Sequence, residues 1–170
     1  MKVTIRPLQE EDAEIAYQWR NDPEVFRYTG AKYDHTITYE DELNWIRKVI
    51  NNTDQIRCAI VADNIYVGNI YLTDIDQYSA HYQIFIGNKS FWHKGVGTEA
   101  SLLILQKAFA ELNLEKVILR VKSDNKSAIR LYNNLGFQTI EAGNPWILMA
   151  ITKETWQQKS AEGLNGMIPT

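Results

Sequence analysis

The stretch IFIGNKSFWHKGVGTEA, residues 84 to 100, joins two kinds of sequence that fold differently. Its first residues are apolar and β-branched or aromatic, as in a strand, and a segment with helical apolar spacing begins near Gly97. Between them lie the basic residues His93 and Lys94. Glycines let successive backbone N–H groups point outward at the start of a helix, where the helix dipole favours an anion. The stretch therefore predicts a cradle for a phosphate or pyrophosphate, with an ordinary glycine-containing loop as the alternative.

Two nucleotide-binding motifs share these glycines but not their context. GVGTEA, residues 95 to 100, matches the G-x-G-x-x-A pattern of a dinucleotide-binding loop. In that loop the glycines follow the first buried strand directly, whereas residues 88–94 intervene here, and Glu115 precedes the next strand instead of ending it. The P-loop pattern G-x-x-x-x-G-K-[ST] does not occur in the sequence. Both readings are therefore rejected.

A second informative segment, NKSAIRLYNNLGF, covers residues 125 to 137 and follows one helix and one strand later. It predicts a helix that begins after an Asp or Asn N-cap and ends at Gly136 as the C′ glycine. Tyr132 lies at the edge of its apolar face, where a phenol either looks into a cleft or is an ordinary half-buried tyrosine. The apolar face itself consists of Ala128, Leu131 and Leu135.

The first half of the chain predicts a strand, two helices and three more strands. Residues 2–6 alternate as a half-buried strand does, and the helix that follows stops near Pro23. A second helix is predicted in TYEDELNWIRKVI, residues 38–50. From residue 55 to 86 the pattern changes to an antiparallel meander, whose first turn is Asp63-Asn64.

The second half predicts helix, strand, helix and a closing strand pair around Gly143-Asn144-Pro145. EKVILRVK, residues 115–122, predicts a buried strand, and a polar tail is expected to be loosely ordered from about Lys159. Without a repeat or linker, this order predicts one α+β domain over residues 1–170, with 153–170 as its tail and helices covering a mixed sheet. The apolar face predicted for the helix after the glycine stretch consists of Leu102, Leu105, Phe109 and Leu112.

The composition excludes several classes of function. A net charge of -3 without a dense basic run argues against a nucleic-acid binder. The single cysteine, Cys58, allows no intrachain disulfide and is predicted to be a small buried hydrophobe. No apolar run approaches the ~20 residues that span a bilayer, and no signal-peptide region opens the chain, so we expect no membrane segment and a cytoplasmic location. The three histidines lie far apart and near no cysteine cluster, so no metal site is expected.

The two glycine-bearing segments together resemble the GNAT superfamily of acetyl-CoA-dependent N-acetyltransferases. The resemblance rests on residues 84–100, on KVILRVKSDNKSAIRLYNNLGF (116–137), and on the pattern N-x-x-A-x-x-L-Y-x-x-x-G-F from Asn125 to Phe137. MKVTIRPLQEEDAEIAYQWRNDPEV, residues 1–25, is similar to the opening of the branch that contains ribosomal-protein N-terminal, spermidine and nucleotide-sugar acetyltransferases. The resemblance reaches about residue 152 and implies a GNAT-like, mostly antiparallel central sheet flanked by helices.

The resemblance implies acetyl-CoA as co-substrate and assigns its binding residues. The loop of residues 92–98 would hold the pyrophosphate of coenzyme A on its backbone amides. The strand of residues 84–86 would pair with the pantetheine arm, and one of its N–H groups would polarise the thioester carbonyl. Asn125 would hydrogen-bond the coenzyme, with Lys126 and Arg130 near its phosphates. The residues implied in this way are Ile84, Phe85, Ile86, Trp92, His93, Lys94, Gly95, Val96, Gly97, Thr98, Asn125, Lys126 and Arg130.

Two side chains are implied to move protons. Tyr132 would protonate the departing thiolate, a role that suits a phenol because its reference pKa is high. Relatives often carry Glu at the strand position of His81, where it activates the amine directly or through water. A histidine would do the same work, or else be a hydrogen-bonded strand residue. The loop opens with Trp92 where many family members have Arg or Gln, which is typical of this branch.

The sequence leaves the acceptor amine open. In this family the acceptor faces residues 19–35 and the loop that holds Asp74, Asp76 and Gln77. If these acids face the cleft they favour a cationic acceptor, such as a polyamine or aminoglycoside; in a solvated turn they do not. WRNDPEV, residues 19–25, is similar to segments of amino-sugar acetyltransferases, and a protein N-terminus is a further candidate. His35 is expected to be a solvent-exposed loop histidine.

The predicted function is direct acetyl transfer from acetyl-CoA to a primary amine of a small molecule or a protein N-terminus, in a ternary complex. The sequence shows no obvious nucleophile, which agrees with a reaction that needs no covalent enzyme intermediate. The alternative is a non-catalytic module that binds acyl-CoA as a sensor or partner subunit, and the presence of Tyr132 favours catalysis. A homodimer is common in such folds, and the residues do not demonstrate one.

Overall fold

A seven-stranded sheet forms the centre of the molecule, and its order is β1-β2-β3-β4-β5-β7-β6. The computed structural model describes residues 1–166. Every neighbouring pair of strands is antiparallel except β4 and β5, which are parallel. This arrangement confirms the predicted α+β fold with a mixed, mostly antiparallel sheet. The strands are β1 (Val3–Pro7), β2 (Ile56–Ala62), β3 (Ile65–Thr73), β4 (Ser79–Ile86), β5 (Lys116–Lys122), β6 (Gln138–Glu141) and β7 (Trp146–Thr152).

The helices begin at residues that satisfy free backbone N–H groups. Asp22 caps α2 by accepting a hydrogen bond from the backbone N–H of Glu24 at 3.0 Å, and Thr38 and Asp41 form a reciprocal capping box on α3. Asn125 caps α5, which ends at Gly136 with a φ of 107°, as predicted. The helices are α1 (Ala13–Arg20), α2 (Pro23–Phe26), α3 (Tyr39–Val49), α4 (Val96–Gln106), α5 (Lys126–Leu135) and α6 (Lys153–Gly166).

The predicted hairpin between β2 and β3 is confirmed. Asp63 and Asn64 connect the strands with φ angles of 49° and 67°. Both angles are positive, as in the type I′ turn whose twist matches the two flanking strands. This turn fixes the register of the meander that leads to β4.

The sheet has two differently covered faces, because side chains along a strand alternate. We call the side packed against α4 and α5 the α4 face, and the side packed against α1 and α3 the α3 face. On β4, Tyr82 and Ile84 belong to the core of the α4 face. Phe85 points to the opposite face, where its ring lies 6.1 Å from that of Trp19 in α1. His81 shares the side of Phe85 because the two residues are four positions apart on the strand.

The parallel seam between β4 and β5 is short. It pairs Ser79–His81 with Lys116–Ile118. Beyond His81, residues 82–86 pair with β3 alone, and residues 119–122 pair with β7 alone. The two strands therefore separate and leave a cleft that passes through the sheet.

Three sequence predictions about packing were wrong. Leu102 and Leu112 are 46% and 38% exposed, because the buried side of α4 follows an i, i+4 row that starts at Val96 and reaches Ala108. β5 is buried on one face only: Val117, Leu119 and Val121 are buried, and the alternate residues Ile118, Arg120 and Lys122 face the other side. The segment from Lys159, predicted to be loose, continues α6 as a helix to Gly166. This helix docks on the core with Trp156, whose ring centroid lies 5.4 Å from that of Phe109. The last part of that predicted tail, residues 167–170, lies outside the described residues.

No helix within residues 1–166 has both the length and the apolar run that a bilayer crossing requires. In the same residues, His, Cys, Asp and Glu side chains form no group of three or more that could hold a metal ion. The cytoplasmic location stays a prediction.

Candidate active site

The cleft between β4 and β5 has a volume of about 990 Å³ and is lined by most of the predicted site residues. Lys94 and Arg130 do not line it; both are exposed, and Lys94 lies 5.8 Å from the ring of Phe91. The remaining predicted residues all line the cleft: His81, Ile84, Phe85, Ile86, Trp92, His93, Gly95, Val96, Gly97, Thr98, Asn125, Lys126 and Tyr132.

The N-terminus of α4 offers free backbone donors to the cleft. Gly95 has a φ of 82°, a left-handed conformation that favours glycine, and it accepts the bond from the N–H of Glu99 at 3.1 Å. The N–H groups of residues 96–98 precede that bond and have no partner in the helix. A Cβ added at Gly97 would lie 3.5 Å from Leu131 and 4.0 Å from Ile84. Because Gly97 has no side chain, a ligand can approach the backbone between β4 and α5.

Two tryptophans hold the end of β4 and the following loop in place. The indole N–H of Trp92 donates to the backbone carbonyl of Ile86 at 2.8 Å. Trp19 packs directly on Gly87, where an added Cβ would lie 1.9 Å from the indole ring. These contacts fix the loop of residues 92–98 relative to the strand that borders the cleft.

Tyr132 lies on the α4 face of the cleft with only 7% of its surface exposed. Its ring packs edge-to-face on Tyr82, with the centroids 5.7 Å apart. Burial raises the pKa of Tyr132 above its ordinary value, because desolvation disfavours the phenolate. The hydroxyl is therefore protonated at neutral pH and is a potential proton donor.

A chain of hydroxyls connects Tyr82 to the start of α4. Ser101 donates to the carbonyl of Gly97 at 2.6 Å, and the hydroxyls of Tyr82 and Ser101 lie 2.6 Å apart. Since the one proton of Ser101 goes to Gly97, Tyr82 donates to Ser101 and its own oxygen stays free to accept. This chain ties β4 to the first turn of α4.

His81 lies at the apex of the cleft on the opposite face from Tyr132. It is half-buried and pairs with Ile118 at the last position where β4 and β5 are joined. Its imidazole forms no side-chain hydrogen bond with any residue between 1 and 166. A group at this point can reach a ligand that enters from the α3 face.

The sequence indicated the range 19–35 as acceptor-facing, but it did not single out the aromatic and arginine side chains that line the α3 face of the cleft. The guanidinium of Arg57 lies 4.4 Å from the ring centroid of Tyr71 and 4.9 Å from that of Trp45. Its Nε donates to Gln55 at 2.8 Å, and burial lowers the pKa of Arg57. The signal was a lone basic residue inside the strand pattern IRCAIVA. The other members that line the cleft include Arg20, Arg27, Tyr33, Arg120 and Trp146.

Arg20 differs from Arg57 because it has a buried counter-charge. Its Nε pairs with the carboxylate of Glu42, which is only 1% exposed, and its Nη1 donates to Tyr33 at 3.0 Å. Burial raises the pKa of Glu42, and the charge of Arg20 opposes that shift. The second carboxylate oxygen of Glu42 has no hydrogen-bond partner among the described residues. This pair connects α1 to α3 behind the cleft wall.

The acidic loop before β4 does not contribute to the cleft. Asp74, Asp76 and Gln77 are exposed and lie outside its lining. The carboxylate of Asp76 accepts from the backbone N–H groups of Tyr78 and Ser79 at 2.7 and 2.8 Å, which is the solvated-turn alternative. The loop therefore supplies no negative charge for a cationic acceptor.

Two other sequence predictions are confirmed. His35 is exposed and lies 2.6 Å from Asp34, which raises the pKa of the imidazole through their hydrogen bond. It lines a separate cavity of about 630 Å³ beside the cleft. Cys58 is buried at 4% exposure, and burial raises the pKa of its thiol. A protonated, enclosed thiol is a poor nucleophile.

Residues 2–138 match the family described as acetyltransferase (GNAT) domain. The chain is 31% identical over 138 residues to spermidine N(1)-acetyltransferase of Escherichia coli (strain K12), an alignment that covers 79% of this chain and 72% of the relative. The spermidine N-acetyltransferase of Vibrio cholerae in complex with CoA and spermine superposes with a TM-score of 0.81 at 22% identity, over 91% of this chain and 98% of that one.

FdhC, a nucleotide-linked sugar GNAT in its apo form, also gives a TM-score of 0.81, at 20% identity, over 95% of this chain and 93% of that one. These two superpositions establish a shared fold. The family match over residues 2–138 and the 31% identity to the Escherichia coli enzyme establish more: the chain belongs to the GNAT family of N-acetyltransferases.

Proposed function

We propose that this protein transfers the acetyl group of acetyl-CoA directly to a primary amine while both substrates are bound. The observation that carries the proposal is the cleft, which passes through the sheet and has free helix N–H groups at one side. Two ligands can enter such a cleft from opposite faces and meet inside it. The Vibrio cholerae relative, crystallised with CoA and spermine, supports a pair of substrates.

The residues of this chain fit coenzyme A on the α4 face. The free N–H groups at the start of α4 suit a pyrophosphate, and the bare backbone at Gly97 leaves room for it. Residues 82–86 lack a strand partner on the side of β5, so their main-chain groups can pair with an extended ligand arm. Asn125 and Lys126 lie at the same side, at the start of α5. The coenzyme supplies an acetyl group activated as a thioester.

The reaction requires one proton to leave and one to arrive. His81 accepts the proton that the amine loses, directly or through water, as the amine nitrogen bonds to the acetyl carbon. The C–S bond breaks with its electron pair on sulfur, and Tyr132 donates its proton there. A backbone N–H of β4 stabilises the negative charge that develops on the carbonyl oxygen. The products are an amide and free coenzyme A, and the protein forms no covalent bond.

The first experiment measures the release of free coenzyme A thiol from acetyl-CoA. The acceptor panel contains amino sugars, their nucleotide conjugates, polyamines, aminoglycosides and peptides with a free N-terminus. Amine-dependent release is expected with one class, together with saturable acetyl-CoA binding by calorimetry. Saturable binding without release for every class would favour the non-catalytic sensor, and failure to bind acetyl-CoA would overturn the proposal.

The role of His81 is tested by the pH dependence of the rate. A general base acts only in its unprotonated form, so the wild-type rate is expected to rise with pH. His81→Gln should remove this rise while leaving acetyl-CoA affinity unchanged. His35→Gln, at the exposed loop histidine, is the control. If the His81→Gln profile keeps the wild-type shape, water or another group is the base.

A further inference from the structure

Four basic side chains beside the acceptor entrance form no ion pair within residues 1–166. We call them the basic wall, and they are Arg27, Arg57, Arg120 and Lys122. The three arginines line the main cleft, and Lys122 lines the adjoining cavity of about 630 Å³ that shares Arg27 with it. They come from three separate segments: Arg27 follows α2, Arg57 is on β2, and Arg120 and Lys122 are on β5. The fold brings these segments together on the α3 face of the sheet.

Aromatic rings, not carboxylates, hold these cations. Arg57 lies between Trp45 and Tyr71, 4.9 and 4.4 Å from their ring centroids. Arg120 and Lys122 lie 4.7 and 5.6 Å from the ring of Trp146. A guanidinium on a ring face keeps its charge and most of its N–H donors free for a ligand.

The nearby acids do not neutralise the basic wall. Glu24 lines the cleft, but its carboxylate and that of Asp22 both pair with Lys89, at 2.6 and 2.9 Å. Glu42 is occupied by Arg20, and Asp34 in the smaller cavity lies 2.6 Å from His35. Asp54 is close enough to Arg57 for its charge to oppose part of the lowering of the Arg57 pKa, but Asp54 lies outside the lining of both cavities and forms no ion pair with Arg57 among the described residues. Asp124 lines the cleft directly before α5, next to the predicted coenzyme residues. The α3 side of the cleft therefore carries a surplus of positive charge.

This surplus decides between classes of acceptor. Charges interact more strongly near a protein surface than in bulk water, because the effective dielectric constant there is lower. A polyamine would meet repulsion from several cations of the basic wall, whereas an anion would meet attraction. Arginine also matches phosphate oxygens with two parallel N–H donors. More than one uncompensated cation suits a group with more than one negative charge.

We propose that the acceptor is a primary amine that also carries a phosphate ester or a diphosphate, which the basic wall binds. The proposal rests on the acetyltransferase function proposed above and names the substrate class of the same site. It also distinguishes this chain from relatives named for spermidine. The phosphate can belong to a sugar phosphate or to a nucleoside diphosphate, and the experiment separates these two sources.

The test compares amines that differ only by the phosphate, with coenzyme A saturating so that the coenzyme's own phosphate sites are filled. Matched probes are glucosamine with glucosamine 6-phosphate, and ethanolamine with phosphoethanolamine. A nucleoside-diphosphate-linked amino sugar, β-alanine and spermidine complete the set. Calorimetry gives binding constants, and acetyl-CoA turnover gives kcat/KM. For at least one pair, we expect the phosphorylated probe to have a binding constant or a kcat/KM at least about 10-fold higher than that of its unphosphorylated partner.

Charge-removing variants show where the advantage arises. Arg57→Gln and Arg120→Gln should each abolish most of the phosphate advantage without changing acetyl-CoA affinity. Arg57→Lys keeps the positive charge and should therefore retain part of the phosphate advantage. Arg47→Gln is the matched control, because Arg47 is exposed on α3, pairs with Glu10 at 3.0 Å, and lies outside the cleft.

The outcomes separate this inference from the proposed function. Preference for spermidine, β-alanine or an unphosphorylated amine overturns the inference and leaves the acetyltransferase intact. The inference is also overturned if no phosphorylated probe binds. It is overturned likewise if the advantage of the phosphorylated probes persists in both Arg57→Gln and Arg120→Gln. Loss of acetyl-CoA binding or of all amine turnover is instead a failure of the proposed function.

Discussion

Tyr82 and Tyr132 are two phenols in contact, yet their surroundings suit them to different tasks. Tyr82 donates to Ser101 and is thereby bound into the hydroxyl chain that reaches α4. Tyr132 faces the cleft from α5, and burial keeps it protonated. The difference comes from their hydrogen-bond partners, since both rings pack in the same core and both line the cleft.

Tyr132→Phe removes one hydroxyl and keeps the ring that packs on Tyr82. We expect turnover to fall about 100-fold or more, because positioned acids contribute that much, while acetyl-CoA affinity stays nearly unchanged. Steady-state kinetics and calorimetry measure the two effects. Tyr78→Phe, at a phenol that is 55% exposed, should behave like wild type. An unaltered rate in a well-folded Tyr132→Phe protein would remove Tyr132 from the mechanism.

Glu42→Ala should lower the free energy of unfolding by about 3–5 kcal/mol, because the partner charge of Arg20 would remain partly buried without compensation. Urea denaturation measures the change. Glu40→Ala is the control on the same helix, since Glu40 is exposed, and a change within about 0.5 kcal/mol is expected there. If the two substitutions change the free energy of unfolding equally, the buried Arg20–Glu42 pair contributes no more to stability than an exposed glutamate.

At the scale of elements, most helices and strands were predictable because local signals agree with the fold. The Asp63-Asn64 turn, the Asn125 cap and the C′ glycine Gly136 all act where they were expected. Each of these features depends on residues that are close together in sequence, so tertiary contacts did not change the conformation that the local sequence favours. The exposure of Leu102 and the docking of α6 were not predicted, because both depend on which other elements of the fold pack against these helices.

Gly97→Ala separates helix stability from ligand access. Alanine is a better helix former than glycine by about 1 kcal/mol, and its Cβ would meet Leu131 at an ordinary 3.5 Å. The free energy of unfolding should therefore stay equal or rise, while coenzyme A affinity falls at least about 10-fold because the methyl group occupies the cleft. Thermal denaturation and calorimetry measure the two quantities.

The matched control for that substitution is Gly163→Ala in α6. Gly163 is likewise a helical glycine that can accept a Cβ, since no atom lies within 4 Å of that position, but it lies outside the cleft lining. Coenzyme A affinity should not change there. If Gly97→Ala also binds coenzyme A normally, the ligand does not approach the backbone at this point.

At the scale of the whole molecule, the sequence indicated individual residues for the coenzyme, but for the acceptor it indicated only the range 19–35 and the acidic loop before β4. The residues proposed for the coenzyme lie in two continuous segments, 84–98 and 125–132, whose patterns are visible in the sequence. The basic wall draws Arg27, Arg57 and Arg120 from distant segments, and only the order and register of the strands bring them together. The alternating basic residues of β5 were the available clue.

The short seam between β4 and β5 predicts where coenzyme A changes hydrogen exchange. Residues 82–86 pair with β3 but have no strand partner on the side of β5. A ligand arm that pairs there should slow the exchange of the amides that point to that side. We expect added protection at these residues and at the start of α4, but not in β2. Mass spectrometry with and without coenzyme A measures it, and protection confined to α1 and α3 would contradict this placement of the coenzyme.

The alternation of side chains along β4 has an evolutionary consequence. Tyr82 and Ile84 belong to the half of the cleft proposed for the donor, and His81 and Gln83 to the half proposed for the acceptor. A single substitution can therefore retune one substrate preference while the other is inherited unchanged. A one-residue insertion or deletion would exchange the two sets of side chains at once. Lineages that diversify their acceptors should accordingly vary residue identity along this strand and preserve its length.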